Sequence, residues 1–215
     1  LDDRRGVAAL LEILKNTYDD AIYACCTVHE EIGLRGAGPA AYVIKPDIAI
    51  VCEATTAADV PVVKEADCVT ALGMGPAVSY ADAATIGDKK LVREIIDTAS
   101  TNNIRYQIKR AAYGGNDAGT IHISGDGIPT AVISVPCRYI HSPVCVADYS
   151  DYENMKAFEE RAAASQIPPV PESAAAEEQP AEQTAEAPED ERELSVFEVD
   201  IDQHHDTMDL DDFNF

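Results

Sequence analysis

The chain has 215 residues, 46% of them hydrophobic, enough for one domain with a real core. Its formal net charge of -23 argues against nucleic acid and anionic membrane surfaces as partners, since both need basic patches. No apolar run approaches the ~18 residues of a membrane span, and the opening Leu1-Asp2-Asp3-Arg4-Arg5 lacks the layout of a signal peptide.

Arg4 to Asn16 is predicted as a helix, with Val7, Leu10, Leu11 and Leu14 at helical spacing and Asp2 or Asp3 able to cap its start. Ala21 to Val28 reads as a short buried strand, and Gly36 to Ile44 as a helix stopped before Pro46. Ile48 to Cys52 is a second strand. Lys89 to Asn102 is an amphipathic helix with Leu91, Val92, Ile95, Ile96 and Ala99 inward, and Ile104 to Ile108 a third strand. Asp117 to Ser124 is a short helix after the Gly114-Gly115 turn. Thr130 to Pro136 is a fourth strand and Asp148 to Ala164 a closing helix. Strands alternating with helices predict an α/β layered fold with a largely parallel sheet.

Composition changes after about residue 165. Residues 166–193 are rich in Pro, Ala, Glu and Gln and read as a disordered linker. Residues 194–215 alternate acids with apolar residues such as Phe197, Val199 and Ile201, the pattern of a disordered end or of a docking peptide. From Pro168 onward 16 acidic residues face Arg192 alone, so the acidity belongs mainly to this stretch. The six cysteines form no CxxC pair, which disfavours a structural zinc site. Most stand in apolar stretches and read as small buried hydrophobes in a reduced, cytoplasmic setting. With no initiator Met and two acids so early, residue 1 reads as a cut inside a larger protein.

In open α/β sheets reactive groups gather beyond the carboxyl ends of strands. Glu30 and Glu31 follow the strand ending at Val28, Glu53 follows the one ending at Cys52, and His141 lies shortly after the one ending near Pro136. Asp2 and Asp3 stand just before a helix. Taken singly, each has a plain explanation: a helix cap for Asp2-Asp3, solvated surface for Glu30-Glu31, a structural acid for Glu53 and a loop histidine for His141. Acids and a histidine converging on one sheet edge suit cations such as zinc, cobalt or manganese.

Longer strings are more specific. Leu1-Asp2-Asp3-Arg4, Thr27-Val28-His29-Glu30-Glu31-Ile32-Gly33, Glu53-Ala54-Thr55-Thr56-Ala57, Gly73-Met74-Gly75-Pro76, Gly114-Gly115-Asn116-Asp117-Ala118 and Arg138-Tyr139-Ile140-His141-Ser142-Pro143 occur in this order. Together they closely resemble the family-forty-two metallo-aminopeptidases, the glutamyl, deblocking and tetrahedral peptidases, over residues 1–165.

The resemblance implies a zinc-peptidase α/β fold with a mixed, largely parallel sheet between helices. Residues 1–165 would be the C-terminal part of its catalytic domain, with N-terminal strands missing. It implies two divalent metal ions, zinc or cobalt, with Asp2 bridging them and Asp3 supporting that geometry. Glu31 and His141 would complete one metal's ligands, and Glu53 would serve the other. Glu30 would be the general acid/base. Gly114, Gly115 and the Gly73 to Pro76 turn resemble substrate-pocket backbone, each with ordinary turn chemistry as the plainer explanation. Asp117 would contact substrate or cap the helix behind it. Relatives take one further histidine ligand and a dimerisation domain from upstream, and neither is present in this sequence. The fragment is therefore expected to be inactive alone, with a sheet edge exposed, and peptide hydrolysis and homo-oligomer formation are expected of the full-length protein. Cys145 departs from the acid that relatives often carry there and receives no catalytic role. The alternatives are an endoglucanase-type hydrolase, since some relatives bear that name, and a non-catalytic truncated protein with a docking tail.

Overall fold

The computed structural model describes residues 2–110 and 112–164. The predicted linker and acidic-hydrophobic tail lie outside the described residues. Five helices run α1 (Arg4–Ile13), α2 (Ala37–Ile44), α3 (Lys89–Thr101), α4 (Ala118–Ile121) and α5 (Tyr149–Ala164). Four strands run β1 (Ala49–Thr56), β2 (Ala77–Ser79), β3 (Gln107–Ile108) and β4 (Thr130–Cys137), with a 3-10 turn at Glu65–Asp67. Among the described residues no helix is long and apolar enough to cross a membrane.

The strands form one sheet in the order β1-β4-β2-β3. β1 pairs parallel to β4 along all eight residues, from Ala49 opposite Thr130 to Thr56 opposite Cys137. β2 runs antiparallel to β4 and parallel to β3. The sheet is therefore mixed, as the family resemblance implies. Every residue of β4 is buried, which suits the continuous apolar run Ala131-Val132-Ile133 on a central strand. Over it pack Leu91, Val92 and Ile95 of α3 and Met155 and Phe158 of α5, all essentially water-free. The helical spacing of these residues explains the match between predicted and observed helices.

The predicted strands need correction in two places. Residues 21–28 form no strand: Tyr23 and Val28 are exposed, and residues 20–28 make no backbone–backbone hydrogen bond to any described residue. Strand character is realised only with a neighbour to complete the ladder. β1 is hydrogen-bonded to β4 on one side, and its other edge has no strand partner among the described residues. Between that edge and residues 23–27 lies a trough of about 400 Å³, walled by apolar side chains of α1 and α2. For the same reason Cys25 and Cys26 are exposed rather than buried, and Cys137 is the one fully buried cysteine among the described residues.

The sequence leaves the Gly73 to Pro76 turn open between substrate-pocket backbone and ordinary turn chemistry. It is a structural lock between the sheet and α5. The buried Asp151 carboxylate accepts from Gly73 N at 2.8 Å and Gly75 N at 2.7 Å. Arg105 and Gln107 donate to the carbonyls of Gly73 and Gly75. Gly75 has φ +89°, and a side chain there would meet the Arg105 carbonyl. Pro76 then leads into β2, a strand too short for sequence periodicity to reveal. The predicted Ile104 strand start is also lost, because Ile104 N bonds Ala99 O and extends the end of α3.

Candidate metal centre

Six chemistry-bearing residues arrive from four places in the chain. Asp2 precedes α1, and Asp3 caps that helix by accepting from Gly6 N at 3.1 Å. Gly6 is required here by close approach, since a side chain would collide with the Asp3 carboxylate and the Cys52 carbonyl. Glu30 and Glu31 sit in a tight turn rather than at a strand end. Gly33 N and Leu34 N both donate to Glu30 O, and His29 and Leu34 adopt left-handed conformations. Glu53 lies within β1, opposite Ser134, not beyond the strand as predicted. His141 follows β4 in a loop tied by the Arg138–Val146 backbone pair and by Ser142 Oγ, which lies 2.5 Å from Tyr139 O and 2.7 Å from Val144 O.

Asp2, Glu31 and His141 converge. His141 Nε2 lies 3.2 Å from Asp2 Oδ2 and 3.3 Å from Glu31 Oε2, and the three ligand atoms all fall within 4.8 Å of one another. This is the three-residue set predicted for one metal. Glu53 is not part of this cluster, and its Oε1 accepts from its neighbour Ala54 N at 2.9 Å. Asp2, Glu30, Glu53 and His141 nevertheless line one groove of about 220 Å³ together with Gly114 and Gly115.

The electrostatics show an excess of negative charge. Burial pushes the Glu53 carboxyl up to about 9; the Ala54 hydrogen bond opposes this, and the charges of Asp3, Asp2 and Glu30 add to it. Burial likewise raises Asp3 to about 6, against its Gly6 hydrogen bond and with help from Asp2. Glu30 is raised by burial first, then by the charges of Glu31, Asp117 and Asp2, with His141 opposing. Lys109 is the one lysine or arginine among the described residues lining the groove, and its ammonium donates to Tyr113 O. A site with this donor set, carboxylates plus imidazole and little compensating positive charge, fits a divalent cation of the zinc or cobalt type.

Of the two roles expected for Asp117, the helix cap is not realised. Its carboxylate accepts a hydrogen bond from Thr27 Oγ1 and makes no cap bond to α4. Asn116 supplies that bond instead, accepting from Ala118 N at 3.0 Å. The second Asp117 oxygen is buried without a partner, in a residue whose charge bears on Glu30. Gly114, with φ +71°, and Gly115 line the groove. His122 ends α4 and its ring bonds Ala118 O, away from the cluster.

One residue of this region was missed by sequence reasoning. Glu159 of α5 is buried behind the site, with neither carboxylate oxygen in hydrogen-bond geometry. Burial raises it to about 8; the neighbouring Cys52 thiol opposes the shift and Asp3 adds to it. Its signal was legible in the sequence: Glu159 follows Met155 by one helical turn and so falls on the inward face of α5.

The profile of the M42 glutamyl aminopeptidases matches residues 1–158, which include every member of the cluster and groove. The chain belongs to the M42 glutamyl aminopeptidase family. A relative from Acetivibrio thermocellus named as an aminopeptidase is 42% identical over 158 residues, covering 72% of this chain and 47% of its own. A solved aminopeptidase of the archaeon Desulfurococcus kamchatkensis superposes with a TM-score of 0.74 at 37% identity, over 76% of this chain and 47% of that one. A Thermotoga maritima structure named as an endoglucanase superposes with a TM-score of 0.58 at 36% identity, covering 75% and 47%. The chain thus spans about half the length of the relatives it matches.

Proposed function

We propose that this chain carries most of the catalytic site of a dinuclear-metal aminopeptidase that removes N-terminal residues from peptides. The observation that supports this most directly is the Asp2–Glu31–His141 cluster, with Glu30 beside it in the same groove. Asp2, Glu31 and His141 would hold one zinc or cobalt ion, and Asp2 with Glu53 would contribute to a second. When bound, the metals supply Lewis-acid polarisation of the scissile carbonyl and activation of water.

The remaining work falls to the chain's own residues. Glu30 takes the proton of the attacking water and returns it to the leaving amine. Its turn sets it next to Glu31 yet leaves it outside the three-atom cluster, so one glutamate serves metal while the other serves water. Asp3, fixed under Gly6, holds the first turn of α1 and with it the position of Asp2. Gly114 and Gly115 offer the groove backbone without side chains, suited to a substrate backbone. A glycoside hydrolase needs a pair of carboxyl groups and no imidazole. The closely gathered acids and histidine therefore favour the peptidase reading over the endoglucanase one.

The test is hydrolysis of a panel of aminoacyl-p-nitroanilides with added zinc or cobalt, with and without chelator, by this chain and by a polypeptide of full M42 length containing it. The longer polypeptide is expected to give chelator-sensitive turnover and this chain alone none. Turnover that survives complete metal removal would refute the metal reading. Independently, His141→Ala should weaken zinc binding by calorimetry at least about tenfold, because one of three clustered donors is lost. Unaltered affinity would show that zinc binds elsewhere.

A further inference from the structure

The function proposed above uses none of the cysteines, yet two of them stand at the base of the loop that carries His141. Cys137 is the last residue of β4 and is 2% exposed, while Cys145 is half-buried on the returning strand segment. Between them the chain is pinned by the Arg138–Val146 pair, with N···O distances of 2.7 and 3.0 Å in the two directions. Side chains alternate along extended backbone, so residues 137 and 145, each adjacent to a pinned residue, emerge on one face as diagonal neighbours. The Cys137 thiol donates to Arg138 O at 3.7 Å, and Cys145 lies near enough for its charge to bear on that thiol.

We infer that Cys137 and Cys145 are a modification site, a thiol pair that a peroxide oxidises to an intramolecular disulfide closing the His141 loop into a ring. The more exposed Cys145 reacts first: its thiolate attacks the peroxide O–O bond, giving a sulfenic acid and releasing water or the corresponding alcohol. The Cys137 sulfur then displaces the hydroxyl of that sulfenic acid, forming the S–S bond and releasing water, with the thiol proton leaving in that water. Two thiols are oxidised and one peroxide is reduced. Burial, reinforced by contact with Cys145, pushes the Cys137 thiol up to about 11. Direct attack by peroxide at Cys137 is correspondingly slow, and its role is to resolve the oxidised partner.

The remaining described cysteines are placed differently. Cys25 and Cys26 are adjacent and exposed, Cys68 donates to Thr70 O, and Cys52 lies under Glu159. The ring formed by residues 137–145 has His141 at its centre, in a left-handed conformation that the loop must maintain. Tying the ends of that loop together lowers the entropy lost when His141 is fixed on a metal. The pairing is independent of the proposed activity, whereas its effect on zinc rests on that reading.

The test treats the purified, metal-free chain with dilute hydrogen peroxide, blocks free thiols, and digests with trypsin without reductant. Cleavage at Arg110, Arg138 and Lys156 places Cys137 in peptide 111–138 and Cys145 in peptide 139–156. The expected product is these two peptides joined, lighter than their sum by two hydrogen atoms, and absent from Cys145→Ser. Oxidation that stops at sulfinic acid, or that links Cys25 or Cys26 instead, would overturn the pairing. Zinc affinity is then measured before and after oxidation. It is expected to rise severalfold in the natural chain and to stay unchanged in Cys145→Ser. Equal affinities in the natural chain would overturn the coupling to His141, while no zinc binding in either state would count against the metal reading itself.

Discussion

Glu30→Gln, made in a polypeptide of full M42 length, is expected to lower kcat by about 10²–10⁴ while leaving zinc binding intact. Gln keeps the size and hydrogen-bonding reach of Glu but cannot accept and return a proton. Glu30 is outside the Asp2–Glu31–His141 cluster, so its replacement removes no donor from that set. The substitution also removes one negative charge from a group of four nearby acids, which eases rather than strains the fold. Steady-state kinetics together with zinc calorimetry would decide the matter. Full activity in the variant would remove Glu30 from the mechanism, and loss of zinc alongside activity would make it a ligand instead.

The second large effect is on stability. Glu159 is held near pKa 8 in the folded chain by burial, against an ordinary carboxyl value of 4.5. Below pH 4.5 both folded and unfolded chains carry the proton and the group contributes no pH dependence. As pH rises from 4.5 to 8 the unfolded chain releases the proton while the folded chain retains it, so stability falls through this window and levels off above it. At pH 7 the deficit is on the order of 3 kcal/mol. Glu159→Gln stays neutral throughout, so it should flatten the decline and be more stable than the natural chain near neutral pH. Urea unfolding at several pH values reads this directly. An equal slope in both proteins would mean that Glu159 is already ionised and paired in the native state.

How much of this was legible beforehand depended on where each residue finds its partner. The helices were readable because Leu91, Val92, Ile95 and Ala99 repeat at the spacing of one buried face, a property local to the segment. β4 was readable because Ala131-Val132-Ile133 and Val135 make a short β-branched apolar run. Residues 21–28 were misread because their apolar content records a preference for a strand neighbour, and sequence alone cannot show that none of the described residues supplies one. β2 escaped notice because three residues carry no period. The site was legible through its strings, since Asp2, Glu31 and His141 lie far apart in the chain and only the resemblance joined them. Spacing could not reveal that Asp117 turns to Thr27, or that the Gly73 to Pro76 turn is held by Asp151, because both depend on contacts made across the fold.

The placement of the three clustered donors has a consequence for how the chain would melt. His141 hangs from β4, the best-buried strand, and inherits its resistance to opening. Asp2 and Glu31 belong to segments that flank the open trough, where Leu11 of α1 and Leu14 just past its end face solvent and residues 20–28 lack ladder bonds. An ion held by all three would rivet a fast-exchanging part of the molecule to its slowest. Amide hydrogen exchange in the first 35 residues should then slow on adding zinc, while β4 hardly responds. Zinc in this chain would thus set the order in which its parts come undone.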